Sequence, residues 1–138
     1  MKITMRAILI NVSDERKQII DNMMLVFCTA IRYSFKRLLE GVEISNLEKD
    51  VANKYNLNIR QAKDAVENAR QTIQSQKELV KLNYQNYDKK VKAIEKQLKN
   101  DKLCDKKRNA LLSKLDKRKR KLQCWQHFID TNTIPPVI

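Results

Sequence analysis

Apolar positions along this chain keep one period for its first eleven residues and another for almost everything that follows. In "KITMRAILIN", residues 2–11, Ile3, Met5, Ala7 and Leu9 fall on one side of an extended chain, with Thr4, Arg6, Ile8 and Ile10 on the other. That alternation predicts a β-strand within residues 1–12. A lone strand leaves its backbone donors and acceptors unpaired and needs a partner. From Ser13 the step changes to three and four. Ser13 can cap a helix whose first turn holds Asp14 and Glu15, as the positive end of a helix dipole favours. Ile20, Met24, Phe27, Ile31, Phe35 and Leu38 form its stripe, and Gly41 stops it. "SNLE", residues 45–48, reads as a capping box for a short second helix with Leu47, Val51 and Tyr55 on one face and Asn56 as its stop.

Asn58, with Gln61 three residues on, predicts the start of the longest helix. Its seam runs through Ile59, Ala62, Val66, Ala69, Ile73, Gln76, Val80, Tyr84, Tyr87, Val91, Ile94 and Leu98, with one stutter at Gln76, Val80 and Tyr84. A break at Asn100 and Asp101 precedes a second seam of Cys104, Arg108, Leu111, Leu115, Arg118, Leu122, Trp125 and Ile129. Two such helices joined by a tight turn make an antiparallel hairpin, expected over about residues 58–130. The fourth helix, roughly residues 102–130, is too short to cover more than about residues 71–99 of the third. The alanines before that, Ala62, Ala65 and Ala69, let the first two helices approach closely. The expected fold is mainly α: a helical bundle with a long antiparallel hairpin, an N-terminal strand, and a short C-terminal strand stub in "TNTIPPVI". Three parts follow: the strand at residues 1–12, the helices at 13–131, and the stub at 132–138.

Charge changes this picture from a plain bundle to a candidate binding surface. The 138 residues hold 29 Lys and Arg against 16 Asp and Glu, a net +13. Residues 88–121 hold fifteen of the bases and five of the acids, a net +10, which leaves +3 for the rest of the chain. An AT-rich genome would enrich lysine evenly; this excess is concentrated and favours a polyanionic partner, nucleic acid before a membrane surface. Cys28, Cys104 and Cys124 are an odd number without framework spacing, each at or beside an apolar helical position, and read as reduced core residues of a cytoplasmic protein. No stretch approaches the roughly 20 apolar residues of a membrane span.

On a helical wheel, Lys107, Lys114 and Lys121 recur every seven residues beside the second seam, and Lys106, Lys117 and Arg120 extend the same side. Asp105 and Asp116 fall opposite. Cations at heptad spacing can track a phosphate backbone without reading sequence. The competing reading is a solvated face whose lysine stems cover the seam. Arg32, Lys36 and Arg37 on the first helix form a smaller basic group, which Arg60 and Arg70 could join. Tyr84, Tyr87 and Trp125 invite base stacking, but their seam positions favour core packing. Cys124 and His127 lack the further ligands that zinc needs. One histidine, no Gly-rich loop and no carboxylate cluster give no equipment for catalysis, and no cofactor or small-molecule substrate is expected.

"AIRYSFKRLLEG", residues 30–41, and "NLNIRQAKDAVENARQTIQSQKELV", residues 56–80, resemble the N-terminal region of the TnpB/OrfB proteins of insertion-sequence transposons, relatives of compact type V CRISPR effectors. The shared pattern is "RY", then "RL-EG", a short helix, and an alanine-spaced helix running into "SQKE". Lys36 stands where many relatives carry Asn. The resemblance implies that the opening strand belongs to a wedge-like barrel, that the helices are an inserted recognition domain, and that "IPPVI" returns toward the barrel. The strand's partners, and the nuclease acids, would then lie in downstream residues.

These readings lead to a non-catalytic nucleic-acid-binding fragment of a transposon-associated RNA-guided nuclease, with guide RNA or DNA as partner. A coiled-coil protein-interaction adaptor and a stand-alone DNA-binding regulator are the alternatives. A homo-oligomer formed by pairing of residues 3–10 between copies is a further expectation.

Overall fold

A computed structural model describes residue 8, residues 11–99 and residues 104–136. Four helices follow in order: α1 (Asp14–Leu39), α2 (Ile44–Tyr55), α3 (Ile59–Leu98) and α4 (Asp105–Asp130). They divide between two compact units, Met1–Arg70 and Gln71–Ile138, so α3 contributes to both. No strand occurs among the described residues. The expected N-terminal strand, and any pairing through it, lies outside them except for Ile8, which is exposed, and Asn11, whose φ of 56° is left-handed. The expected C-terminal stub is corrected where it is described. Residues 133–136 form no ladder, and Pro135 and Pro136 have no N–H to donate to one.

The first unit is organised by its helix ends. α1 stops because Gly41 takes φ 83°, which lets Gly41 N–H reach the Leu38 carbonyl at 3.1 Å and Val42 N–H the Arg37 carbonyl at 3.1 Å. These two bonds are the Schellman closure, and they satisfy carbonyls that the helix cannot. The chain re-enters helix at once: Glu43 is extended and its carbonyl accepts from Leu47 N–H at 3.0 Å, so α2 begins at Ile44. The capping box expected at Ser45 is therefore displaced, because those residues already lie within the first turn. Asn56 ends α2 with φ 50°, as expected. Asn58 and Gln61 then exchange bonds, Gln61 N–H to Asn58 Oδ1 at 2.8 Å and Asn58 N–H to Gln61 Oε1 at 3.1 Å.

Three helices meet over small residues. Ala30, Leu47, Val51, Ala62, Ala65 and Val66 form one buried cluster, with Phe27, Ile31, Tyr33, Leu38, Tyr55 and Leu57 packed around it. The alanines of early α3 thus receive α1 and α2, as their spacing predicts. Burial of Leu47 and Val51 contributes about 1.5–3 kcal/mol each. Buried Ser34 satisfies its hydroxyl by donating to the Ala30 carbonyl at 2.8 Å. Tyr33 ties α1 to α2: its hydroxyl donates to Asp50 at 2.6 Å, and its ring meets Tyr55 edge-on at 5.8 Å.

The expected α1 stripe is covered only from Phe27 onward. Ile19, Ile20, Met23, Met24, Leu25 and Val26 are exposed. The reason is length: α2 has 12 residues, about 18 Å, against 26 residues, about 39 Å, for α1. The cysteines depart from expectation too. All three are free, but they are exposed and not core. Cys28 lies just off the apolar stripe, Cys104 is the N-cap of α4, and Cys124 sits beside the seam position Trp125.

In the second unit α4 runs antiparallel to α3. Lys119 pairs with Glu95 at 2.8 Å, Lys121 reaches Tyr87, and Phe128 and Ile129 lie with Lys77, Val80 and Lys81 around one small cleft. α4 starts at Asp105, later than the sequence suggests, so its last turn reaches back only to about Lys77. Val80, Val91 and Ile94 are buried, while Arg108, Leu111, Leu115, Arg118, Leu122, Trp125 and Ile129 are half-buried. α4 has no fully buried residue. It ends at Asp130, and left-handed Asn132, φ 52°, just beyond it lets Thr133 N–H reach the Phe128 carbonyl. No helix among the described residues is long and apolar enough to cross a membrane.

Candidate nucleic-acid interface

Heptad spacing puts Lys114 and Lys121 on one line of α4, with Lys117 one turn from each. Antiparallel pairing then brings Tyr87 and Lys90 of α3 against that line. Together with Arg118 they line an open groove of about 300 Å³. Five cations and one aromatic ring face it, and no carboxylate among the described residues does. The Lys90 and Lys121 ammoniums stand 5.2 and 5.9 Å from the Tyr87 ring centroid.

Three acids of the hairpin are engaged elsewhere. Asp88 holds Lys92 at 2.7 Å, Asp116 holds Arg120 at 2.6 Å, and Glu95 holds Lys119. Hydrogen bonding and charge from Asp88 raise the Lys92 pKa. Lys90, Lys114, Lys117, Arg118 and Lys121 make no ion pair among the described residues. Like charges converge there uncompensated, the arrangement that attracts a polyanion.

The other residues singled out from the sequence are scattered. Lys106 and Lys107 are exposed in the first turn of α4. Arg120 does not join the lysine side as expected: it turns to Asp116 at 2.6 Å and is not among the residues that line the groove. In the first unit Arg32 and Lys36 are exposed on α1, and Arg60 is exposed in the first turn of α3. Arg37 is spent on structure: it pairs with Glu40 at 2.6 Å and lies 5.2 Å from the Tyr33 ring. Its pKa is raised by hydrogen bonds to Tyr33 and then Glu40. Arg70 meets Glu67 through two bonds, 2.9 and 3.1 Å, which raise its pKa as well. The second basic group is thus partly neutralised within its own helices.

Three groove residues were not singled out as binding residues by sequence. Lys90 lay within the charged run without distinction, Arg118 read as a seam residue, and Tyr87 read as core. The signal for them is pairwise: Tyr87 and Lys90 share a face at i,i+3, and the hairpin register decides what that face meets. Tyr84 and Trp125 keep the seam role expected of them, half-buried, with Trp125 6.1 Å from Phe128. No group of three or more His, Cys, Asp or Glu side chains that could hold a metal occurs among the described residues.

A family model described as the SSO2105 N-terminal domain matches residues 2–121, which include the whole groove. No curated protein and no solved structure matches the chain.

Proposed function

The chain belongs to the SSO2105 N-terminal domain family. From its charge and its sequence pattern we propose that it is a non-catalytic nucleic-acid-binding segment of a transposon-associated, RNA-guided DNA nuclease. Its hairpin contacts guide RNA or the guide–target heteroduplex through charge and backbone shape. One observation carries the binding reading: among the described residues, five cations from two antiparallel helices line one groove, make no ion pair, and have no carboxylate beside them in it. Phosphates recruited by such a surface supply affinity and orientation without sequence readout. The nuclease context is supported by the resemblance of residues 30–41 and 56–80 to the TnpB/OrfB N-terminal region.

The test replaces Lys107, Lys114, Lys117 and Lys121 together by Gln and measures binding to an RNA hairpin and to an RNA–DNA heteroduplex over a range of salt. The steepness of the salt dependence should fall by about one unit per lysine removed, with helicity by circular dichroism unchanged. Unaltered binding by the quadruple variant would refute the assignment of this face.

A second reading, a protein-interaction adaptor, is favoured by the exposed apolar row on α1, Ile19, Met23, Met24 and Val26. An adaptor binds through apolar contact and keeps its affinity as salt rises; the nucleic-acid reading requires the opposite.

A further inference from the structure

Two tyrosines, Tyr33 and Tyr87, each face two cations, and they are not equivalent. Tyr33 is used up: Lys54 caps its ring at 3.9 Å and its hydroxyl is spent on Asp50. Tyr87 is half-buried, its two ammoniums stand at 5.2 and 5.9 Å, and its hydroxyl has no hydrogen-bond partner among the described residues. Those distances lie near the outer limit, about 6 Å, of a cation–π contact. The two lysines therefore hold the Tyr87 ring more loosely than Lys54, at 3.9 Å, holds Tyr33.

We infer that this groove holds one unpaired nucleotide, its phosphate among the five cations that line the groove and its base against the Tyr87 ring. The inference rests on the nucleic-acid reading above and narrows it to a strand with exposed bases. A phosphate is a stronger partner for the Lys90 and Lys121 ammoniums than a tyrosine ring is, because both members of the new pair are charged. Its arrival draws them off the ring, and the freed face suits a base. Bases in a duplex are stacked on their neighbours and offer no face; bases in loops, bulges and single strands do. The groove's volume, about 300 Å³, lies at the small end of ligand pockets, which fits a single nucleotide better than a run of them.

The experiment measures fluorescence anisotropy of a labelled oligouridylate and of an RNA duplex of equal length with the full chain, Tyr87→Leu and Tyr87→Phe. Tyr87→Leu should weaken oligouridylate binding by about tenfold, within the range of one lost base–aromatic stack, and leave duplex binding unchanged. Tyr87→Phe, which keeps the ring, should bind both as the unmodified chain does. Should Tyr87→Leu perturb the helix pair, photocrosslinking of 5-iodouridine in the oligonucleotide to the unmodified chain decides, with Tyr87 the expected attachment point. Equal losses on both probes, no loss on either, or crosslinks confined to other residues would overturn the inference. If the unmodified chain binds the duplex with steep salt dependence yet ignores oligouridylate, only the groove assignment falls. If it binds neither, the broader reading falls with it.

Discussion

Asn58 and Gln61 show how far a short stretch of sequence reaches. Their side chains exchange bonds with each other's backbone, so truncation to Asn58→Ala should cost about 1 kcal/mol and lower the melting temperature by a few degrees in a thermal scan. Gly41 is as legible. A Cβ there meets nothing within 4 Å, so the penalty of Gly41→Ala is the left-handed backbone alone, about 1–2 kcal/mol in the same scan. "SNLE" was misleading for a local reason. The motif is real as a string, but the turn at Gly41 hands the chain to Glu43 in an extended conformation, and helix starts before the serine is reached. The cysteines misled for the same kind of reason, since one position to the side of an apolar stripe is solvent. Native protein should therefore titrate three thiols promptly with a thiol reagent, and slow, denaturant-dependent reaction would contradict their exposure.

At the scale of elements, the alanine row of α3 was readable because it needs no partner to be recognised. Small residues at three- and four-residue steps specify close approach whichever helix arrives. Leu47→Ala should destabilise the first unit by about 2–5 kcal/mol, since Leu47 is fully buried among those alanines; urea unfolding followed by circular dichroism would measure it. What a stripe does not reveal is the length of its cover. The apolar face of α1 continues past the reach of α2, and nothing in residues 19–26 announces this. The start of α4 carries the same lesson. A shift of a few residues in the turn moves every cross-helix pairing, and so decides that Tyr87 meets Lys121. The basic stripe was legible on α4 alone; the groove was not, because it belongs to two helices.

Across the whole chain, charge is the property that sequence reports without help, since a net +13, of which +10 falls within residues 88–121, survives any error in boundaries. Structure adds the sorting. Arg37, Arg70 and Arg120 lean on their own helices, whereas Lys114, Lys117 and Lys121 face an acid-free groove. Arg120→Gln should accordingly change affinity for an RNA hairpin far less than Lys117→Gln, a comparison that anisotropy at fixed salt resolves. The chain should leave nucleic acid uncut in the presence of Mg2+ or Mn2+, because binding is its proposed role; cleavage lost on mutation of one of its own acids would contradict that. The most direct test of the account is the salt dependence of duplex binding by the unmodified chain. With about five phosphates neutralised on B-DNA, log K should fall against log salt with a slope of roughly −4.5; a slope near zero, or no binding at low salt, would contradict it.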